Sequence, residues 1–310
     1  IAQISMNLTN ISLTPLHIAF HTAVERAHAR GLRVTGSELV GLVPLKSMLD
    51  AGKYFLQKQK RSVGVGDVEL IRIAIKSVGL DELAPFDPAK KIIEYVMRDN
   101  SKKKLVDMDL IRFANETASE SPAPGGGSIS AYVAALGASL GTMVANLSSH
   151  KKGWDNRWDV FSKWAEQGQT YKDELLRLVD EDTIAFTKIM DAFSLPKASE
   201  EEVALRTKAI QEATVYATEI PLQTMKAANQ CFPLLKEMVV IGNPNSVSDA
   251  AVGALCIRTA MYGAYLNVKI NASGLKDKTI ADTYCAEAES LLAEAKVQET
   301  EILAITETKM

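Results

Sequence analysis

The sequence predicts an α+β N-terminal domain, a sheet under one helical layer, followed by an all-α helical bundle with a buried central helix. Three observations carry this reading. Strand-like and helix-like patterns alternate over residues 1–97. From residue 105 to 310 long helical patterns follow one another without a convincing strand. Within that stretch, residues 121–150 contain no Asp, Glu, Lys or Arg.

The elements follow in order. Residues 1–8 read as a strand ending at the Asn7/Asn10 turn residues. Thr14-Pro15 opens a helix to about residue 30, with Thr14 as cap, Pro15 in the first turn and Gly31 as the stop. Residues 32–43 return as a strand, and Pro44 starts a helix to about residue 57. A third helix spans 67–78 before Gly79, and a short fourth covers 90–97 after Phe86-Asp87-Pro88. The polar, basic run 98–104 reads as a solvated linker between a domain at 1–97 and one at 105–310. The second domain is expected to hold about six helices, near 105–119, 126–148, 155–193, 200–238, 246–271 and 277–308, with Pro221 kinking or breaking the fourth. The uncharged run reads as a central helix enclosed by others rather than a membrane span, because Ser130, Ser139, Thr142, Asn146 and many Gly and Ala dilute its apolarity.

Composition bounds the function. The chain has 310 residues, is 47% hydrophobic and 24% charged, and balances Lys+Arg 35 against Asp+Glu 38 for a net −3. That is an ordinary globular balance, and no positive field is available to hold nucleic acid. Cys231, Cys256 and Cys285 lie far apart without CxxC spacing, so three buried thiols in a reducing, cytoplasmic compartment are expected. The chain opens at Ile1 in what reads as a strand already under way, with no secretory pattern, as though more sequence precedes it.

Five motifs could carry chemistry. Gly125-Gly126-Gly127-Ser128 enters the central helix, where free N–H groups and the helix dipole suit a carboxylate, a phosphate or a polar heterocycle edge. A flexible loop capped by Ser128 is the plainer alternative. Asp180 and Asp182 lie on different helix faces. Asp182 interrupts an apolar stripe of Leu178, Val179, Ala185, Phe186 and Ile189, whereas Asp180 has Arg177 as a partner. A carboxyl in apolar surroundings ionises late and can act as a general acid or base near neutrality; an Asp bonded to a neighbouring helix is the alternative. Gly242-Asn243 precedes Ser246-x-x-Asp249, which resembles a capping box. Asn267 and Asn271 sit one turn apart on an apolar helix and need partners, from a ligand or another helix. His17, His21, Glu25 and His28 share a helix face but lack a complete metal-ligand pattern, so no metal is expected. Gly64-Val-Gly66-Asp67 is not a dinucleotide fingerprint.

Taken together, the residues of the helical half resemble the cyclodeaminase domain of the formimidoyltransferase-cyclodeaminase family. The likeness runs through Pro122-Ala-Pro-Gly-Gly-Gly-Ser128, Leu140-Gly-Thr-Met-Val144, residues 178–186, Ser194-Leu-Pro-Lys197, Gly242-Asn243 with Ser248-Asp249, Gly263-Ala-Tyr265, Asn267-Val268 and Ile270-Asn271. The N-terminal half is similar to the C-terminal subdomain of the family's transferase part, through Ile4-Ser-Met-Asn-Leu8, residues 39–46, Leu49-Asp-Ala51 and Lys91-Ile-Ile-Glu-Tyr95. The resemblance implies closure of 5-formimidoyltetrahydrofolate to 5,10-methenyltetrahydrofolate with loss of ammonia, in histidine degradation and one-carbon metabolism. It implies Asp182 as the acid; folate is expected to bind between helices near Gly125, Gly126, Gly127, Ser128, Asn243, Asp249, Asn267 and Asn271, with neither metal nor nucleotide required. It also implies a polyglutamylated substrate and a homo-oligomer. The family's transferase His has no counterpart here, so formimidoyl transfer is not expected of this chain alone. A methenyltetrahydrofolate cyclohydrolase and a non-catalytic folate-binding scaffold are the alternatives.

Overall fold

The computed structural model describes residues 2–99 and 104–310; positions 100–103 of the expected linker lie outside them. The described chain is helical. It contains α1 (Leu16–His28), α2 (Leu45–Lys58), α3 (Asp67–Val78), α4 (Pro88–Lys91), α5 (Ile93–Val96), α6 (Leu110–Thr117), α7 (Gly126–Ser149), α8 (Trp158–Ser194), α9 (Glu200–Asn229), α10 (Cys231–Ile241), α11 (Val247–Ser273) and α12 (Lys278–Glu307), with short 3-10 turns at Leu105–Asp107 and Pro244–Ser246.

The expected N-terminal sheet is not there. Among the described residues no strand forms, and the one ladder-like contact is an isolated parallel bridge between Val43 and Ile92. Val43 N–H donates to Lys91 O (2.9 Å) and Ile93 N–H to Val43 O (3.0 Å), and this splits the expected fourth helix into α4 and α5. The segments read as strands, 1–8 and 32–43, form no ladder where described apart from the bridge at Val43, since a strand needs a neighbour to complete it. Val40, 87% exposed, and Ile4, 72% exposed, face solvent instead. The core here is helix on helix, with Met48, Ala51, Ile71, Ala74 and Val78 packed beneath Ile92. Thr14 does not cap α1: Pro15 takes that place without a side-chain bond.

In the bundle, α7 is the central helix, packed chiefly on α8 and α11, with α9 and α10 closing around it and α12 outside α11. It is long and apolar enough to cross a membrane by composition, yet most of it is buried among other helices. Small residues allow the close approach. A Cβ on Gly137 would stand 2.8 Å from Gly253 O, so α7 and α11 meet backbone to backbone there. Cys231 is buried and all three thiols are free, but Cys256 and Cys285 are only partly covered. Burial pushes the Cys231 thiol up to about 12.

Pro221 and Pro233 both sit within helices of the bundle. Pro221 lies inside α9 without ending it, and the helix stops instead at Gln230, just before Pro233 in the first turn of α10. A proline at position i cannot donate to the carbonyl at i−4. For Pro221 that carbonyl is Ala217 O, which accepts the Asn271 side-chain N–H from α11 at 2.7 Å. Asn271 therefore mends the gap in α9 with its side-chain N–H. Pro233 needs no such repair, because the first-turn N–H groups of a helix have no intrahelical acceptor. Asn271→Ala is expected to cost about 1–3 kcal/mol, the penalty of an unpaired buried carbonyl, and to leave turnover per folded molecule unchanged. A lower urea midpoint at constant slope is the readout; an unmoved midpoint would remove this role.

The N-terminal helices dock on the bundle through residues 62–66. Val63 N–H donates to Ser162 Oγ (3.0 Å), Gly64 O accepts from Asn146 (2.7 Å) and Gln169 (3.1 Å), and Lys53 pairs with Glu166 at 2.6 Å.

Candidate active site

α7 and α8 run antiparallel, which brings the start of α7 beside the last third of α8. The turn into α7 holds a cis Ala123-Pro124 peptide, and Gly125 caps the helix without a side chain. Ser128, fully buried, donates its hydroxyl to Asp182 Oδ2 at 2.8 Å, and its backbone N–H also points at that carboxylate. Thr183 Oγ1 lies 3.5 Å from the same Ser128 hydroxyl. A Cβ on Gly127 would overlap Asp182 Oδ1 and stand 2.8 Å from Oδ2. The free N–H end of α7, expected to hold a substrate group, is thus already filled by the chain's own Asp182. That corrects the expected folate-binding role of Gly127 and Ser128, whose space and donors belong to the carboxylate.

Asp182 is half-buried, and burial holds its carboxyl above the usual carboxylate range, opposed by the two Ser128 donors. Its surroundings are apolar on the inner side, where Leu178, Val179 and Ala185 are buried. The stripe is not closed, however: Phe186, one turn along, is 38% exposed and opens that face of α8 to solvent. Asp180 is also raised by burial, but its Oδ1 accepts Leu105 N–H at 2.7 Å and so ties down the chain entering the bundle. Its expected partner Arg177 pairs with Glu174 (2.8 Å) and Glu181 (3.5 Å) instead.

From α11, Asn267 reaches the same spot. Its Nδ2 donates to Gly263 O (2.8 Å), and a Cβ on exposed Gly126 would lie 3.2 Å from that nitrogen. Asn267 meets Gly126 and Asp182 meets Gly127, so the two side chains lie against consecutive residues of one corner, the head of α7, where Gly126 is exposed and Gly125 half-buried. Asn243 and Asp249 do not join them. Asn243 N–H donates to Ser148 Oγ (2.8 Å) at the far end of α7, which is about 30 Å from Ser128 by helix rise. Its side chain caps the 3-10 turn by accepting from Asn245 N–H (3.3 Å). Asp249 lies in the first turn of α11, about 27 Å along the helix from Asn267. Ser246 makes no side-chain cap there, so the expected capping box does not form.

Two features escaped the sequence reading. Asp182's partner was invisible because a cap across helices leaves no local spacing. The second is a cleft of about 620 Å³ between the 62–66 loop and α7/α8, lined in part by Asn146, His150, Gln169 and Lys172. Asn146, the one amide in the uncharged run, was its only signal. The histidines of α1 do not gather: His17 packs on the Tyr54 ring (4.6 Å), and His21 meets Glu25 (3.2 Å) and Lys58 (3.0 Å).

This geometry can be set beside known proteins. Residues 109–290 match the formiminotransferase-cyclodeaminase family, and residues 1–98 match the formiminotransferase domain. The chain belongs to the formiminotransferase-cyclodeaminase family. Asp182, Gly126 and Asn267 all fall inside the first matched region. The formimidoyltransferase-cyclodeaminase of Rattus norvegicus is 37% identical over 310 residues, which is 100% of this chain and 57% of that protein. The chain thus spans little more than half the length of such relatives. The methenyltetrahydrofolate cyclohydrolase of Methylorubrum extorquens is 37% identical over 183 residues, 59% of this chain and 88% of that protein. Among solved structures, formiminotetrahydrofolate cyclodeaminase from Thermotoga maritima superposes with TM-score 0.59 at 25% identity, covering 66% of this chain and 98% of that one.

Proposed function

We propose that this chain is a formimidoyltetrahydrofolate cyclodeaminase in folate one-carbon metabolism, linked to histidine degradation, with Asp182 as its proton carrier. One observation supports this above the rest: in a member of this family, a half-buried carboxyl is fixed by Ser128 at the head of α7, next to exposed Gly126 and the Asn267 amide that Gly126 faces. Folate, carrying a polyglutamate tail, binds there. N10 of the folate attacks the formimidoyl carbon and gives a tetrahedral aminal. Asp182 takes the N10 proton and hands it to the exocyclic nitrogen, and ammonia leaves as the C–N bond breaks. A carboxyl held above its usual range suits both halves of this transfer, since it is neither too weak a base nor too strong an acid. This chemistry asks for no metal or nucleotide. Formimidoyl transfer to or from glutamate is not assigned to this chain.

The similarity to a cyclohydrolase favours one second reading, in which water rather than the folate nitrogen attacks and the methenyl product is opened. Incubating the purified chain with 5-formimidoyltetrahydrofolate separates the two. Ammonia and methenyltetrahydrofolate in equal amounts are expected. Hydrolysis of added methenyltetrahydrofolate without ammonia from the formimidoyl compound would support the second reading instead. A binding-only scaffold would do neither.

A cytoplasmic homo-oligomer, at least a dimer, is part of the same proposal. Leu136, Met143 and Leu147 recur on one face of α7 and are 38–47% exposed, which leaves an apolar stripe for a second copy. Sedimentation is expected to give a multiple of 33.7 kDa, whereas a monomer at micromolar concentration would contradict that part.

A further inference from the structure

Ser128 is completely buried, so it cannot touch a substrate lying against exposed Gly126. A buried hydroxyl still requires a partner. Four other hydroxyls of α7 find theirs in their own helix: Ser130, Ser139, Thr142 and Ser148 each bond the carbonyl four residues back, at 2.6–2.7 Å. Ser128 lies in the first turn, where no helical carbonyl stands four residues back, and it turns instead to a carboxylate on another helix. The bare Gly127 beside it leaves room for that carboxylate to sit flush against the helix end.

We propose that Ser128 is the positioning residue of this site: its hydroxyl fixes the orientation of Asp182 and keeps the carboxyl able to shed the proton it carries. The inference rests on the reading of Asp182 as proton carrier. Burial favours the protonated carboxyl, which helps it to give a proton to the leaving nitrogen and hinders it in taking one from N10. The Ser128 donors restore the second ability, because hydrogen bonds to the anion favour ionisation.

Among the described residues, the charged neighbours on the adjoining helices have partners of their own. α7 carries no Asp, Glu, Lys, Arg or His, and the ring of its Tyr132 packs on Phe113. On α8, Asp180 is turned to Leu105 and Glu181 to Arg177 and Tyr216. Lys188 lies over the Tyr216 ring on the α9 side. On α11, Lys269 faces Glu289 of α12.

The test is a pH profile of kcat/KM together with titration of the Asp182 carboxyl by 13C NMR, its signal assigned by its loss in Asp182→Asn. In Ser128→Ala the acid limb of the profile and the carboxyl titration are both expected to move up by about one pH unit, the size of one charge-assisted hydrogen bond. Ser128→Cys, near in shape but a weaker donor, is expected to move both by less, and it serves as the measurement if the Ala variant does not fold. KM should stay within about twofold, since Ser128 does not contact substrate. Unchanged limbs and titrations in both variants would overturn the proposal while leaving Asp182 in place. Wild-type turnover by Asp182→Asn would instead remove the reading on which it rests.

Discussion

Replacing Asp182 by Asn is expected to lower the rate of ammonia release by roughly 10²- to 10⁴-fold, the usual worth of a placed acid/base, while the protein stays folded. The amide keeps the size of the carboxyl and can still accept from Ser128, so the packing at the head of α7 is preserved. Stability should move the other way. Burial raises the folded carboxyl above its unfolded value, so the native chain holds a proton that the unfolded chain has already lost. Stability therefore falls as pH rises from the ordinary carboxylate range through the raised folded value, and stays reduced above it. Asn has nothing to ionise. In mildly alkaline buffer the thermal midpoint of the variant is expected to equal or exceed that of the wild type. A collapsed midpoint would mean that Asp182 serves the fold, not the reaction.

Gly127→Ala is expected to be nearly as damaging to turnover, for a geometric reason. An alanine there would favour the helix, since Ala is better than Gly in a helix interior by about 0.5–1 kcal/mol. Its methyl, however, falls on Asp182 Oδ1 and 2.8 Å from Oδ2. The carboxyl must swing off the helix end and lose its Ser128 bonds. A loss of at least about 10²-fold in kcat with little change in KM is expected, because a misplaced proton carrier affects the transition state more than binding. Gly126→Ala moves the added methyl from the carboxyl to the proposed pterin side, so it should act on KM more than on kcat. Its methyl meets only the movable Asn267 amide at 3.2 Å, and less than about tenfold in kcat should be lost. Equal kcat for the two alanine variants would show that the carboxyl's seat is unimportant.

The sequence revealed the parts of this molecule that depend on local pattern. Residues 126–148 had no polar face and could only be a buried helix, and the structure has Gly126–Ser149 at the centre. Asp182 stood out from Asp180 by its neighbours alone, although the partner that relieves Asp180 is Leu105 N–H and not Arg177. What failed depended on distant partners. Alternating apolar residues at 32–43 describe a strand only if another strand lies alongside, and no local pattern reports that. Pro221 was expected to kink or break its helix, and the amide that serves Ala217 O as α9 runs on lies 54 residues away. Asn243 and Asp249 sit in the same matched stretch as Asn267, but α11 carries them to the opposite end of α7. Single-chain geometry separates what sequence order grouped.

The most direct measurement is a crystal structure of the chain with 5-formyltetrahydrofolate, a stable stand-in for the formimidoyl substrate. The formyl carbon's oxygen should lie within about 2.6–3.2 Å of Asp182, or one water away, with the pterin against Gly126 and Asn267. A folate bound only in the cleft lined by Asn146 and Lys172, with Asp182 untouched, would contradict the assignment.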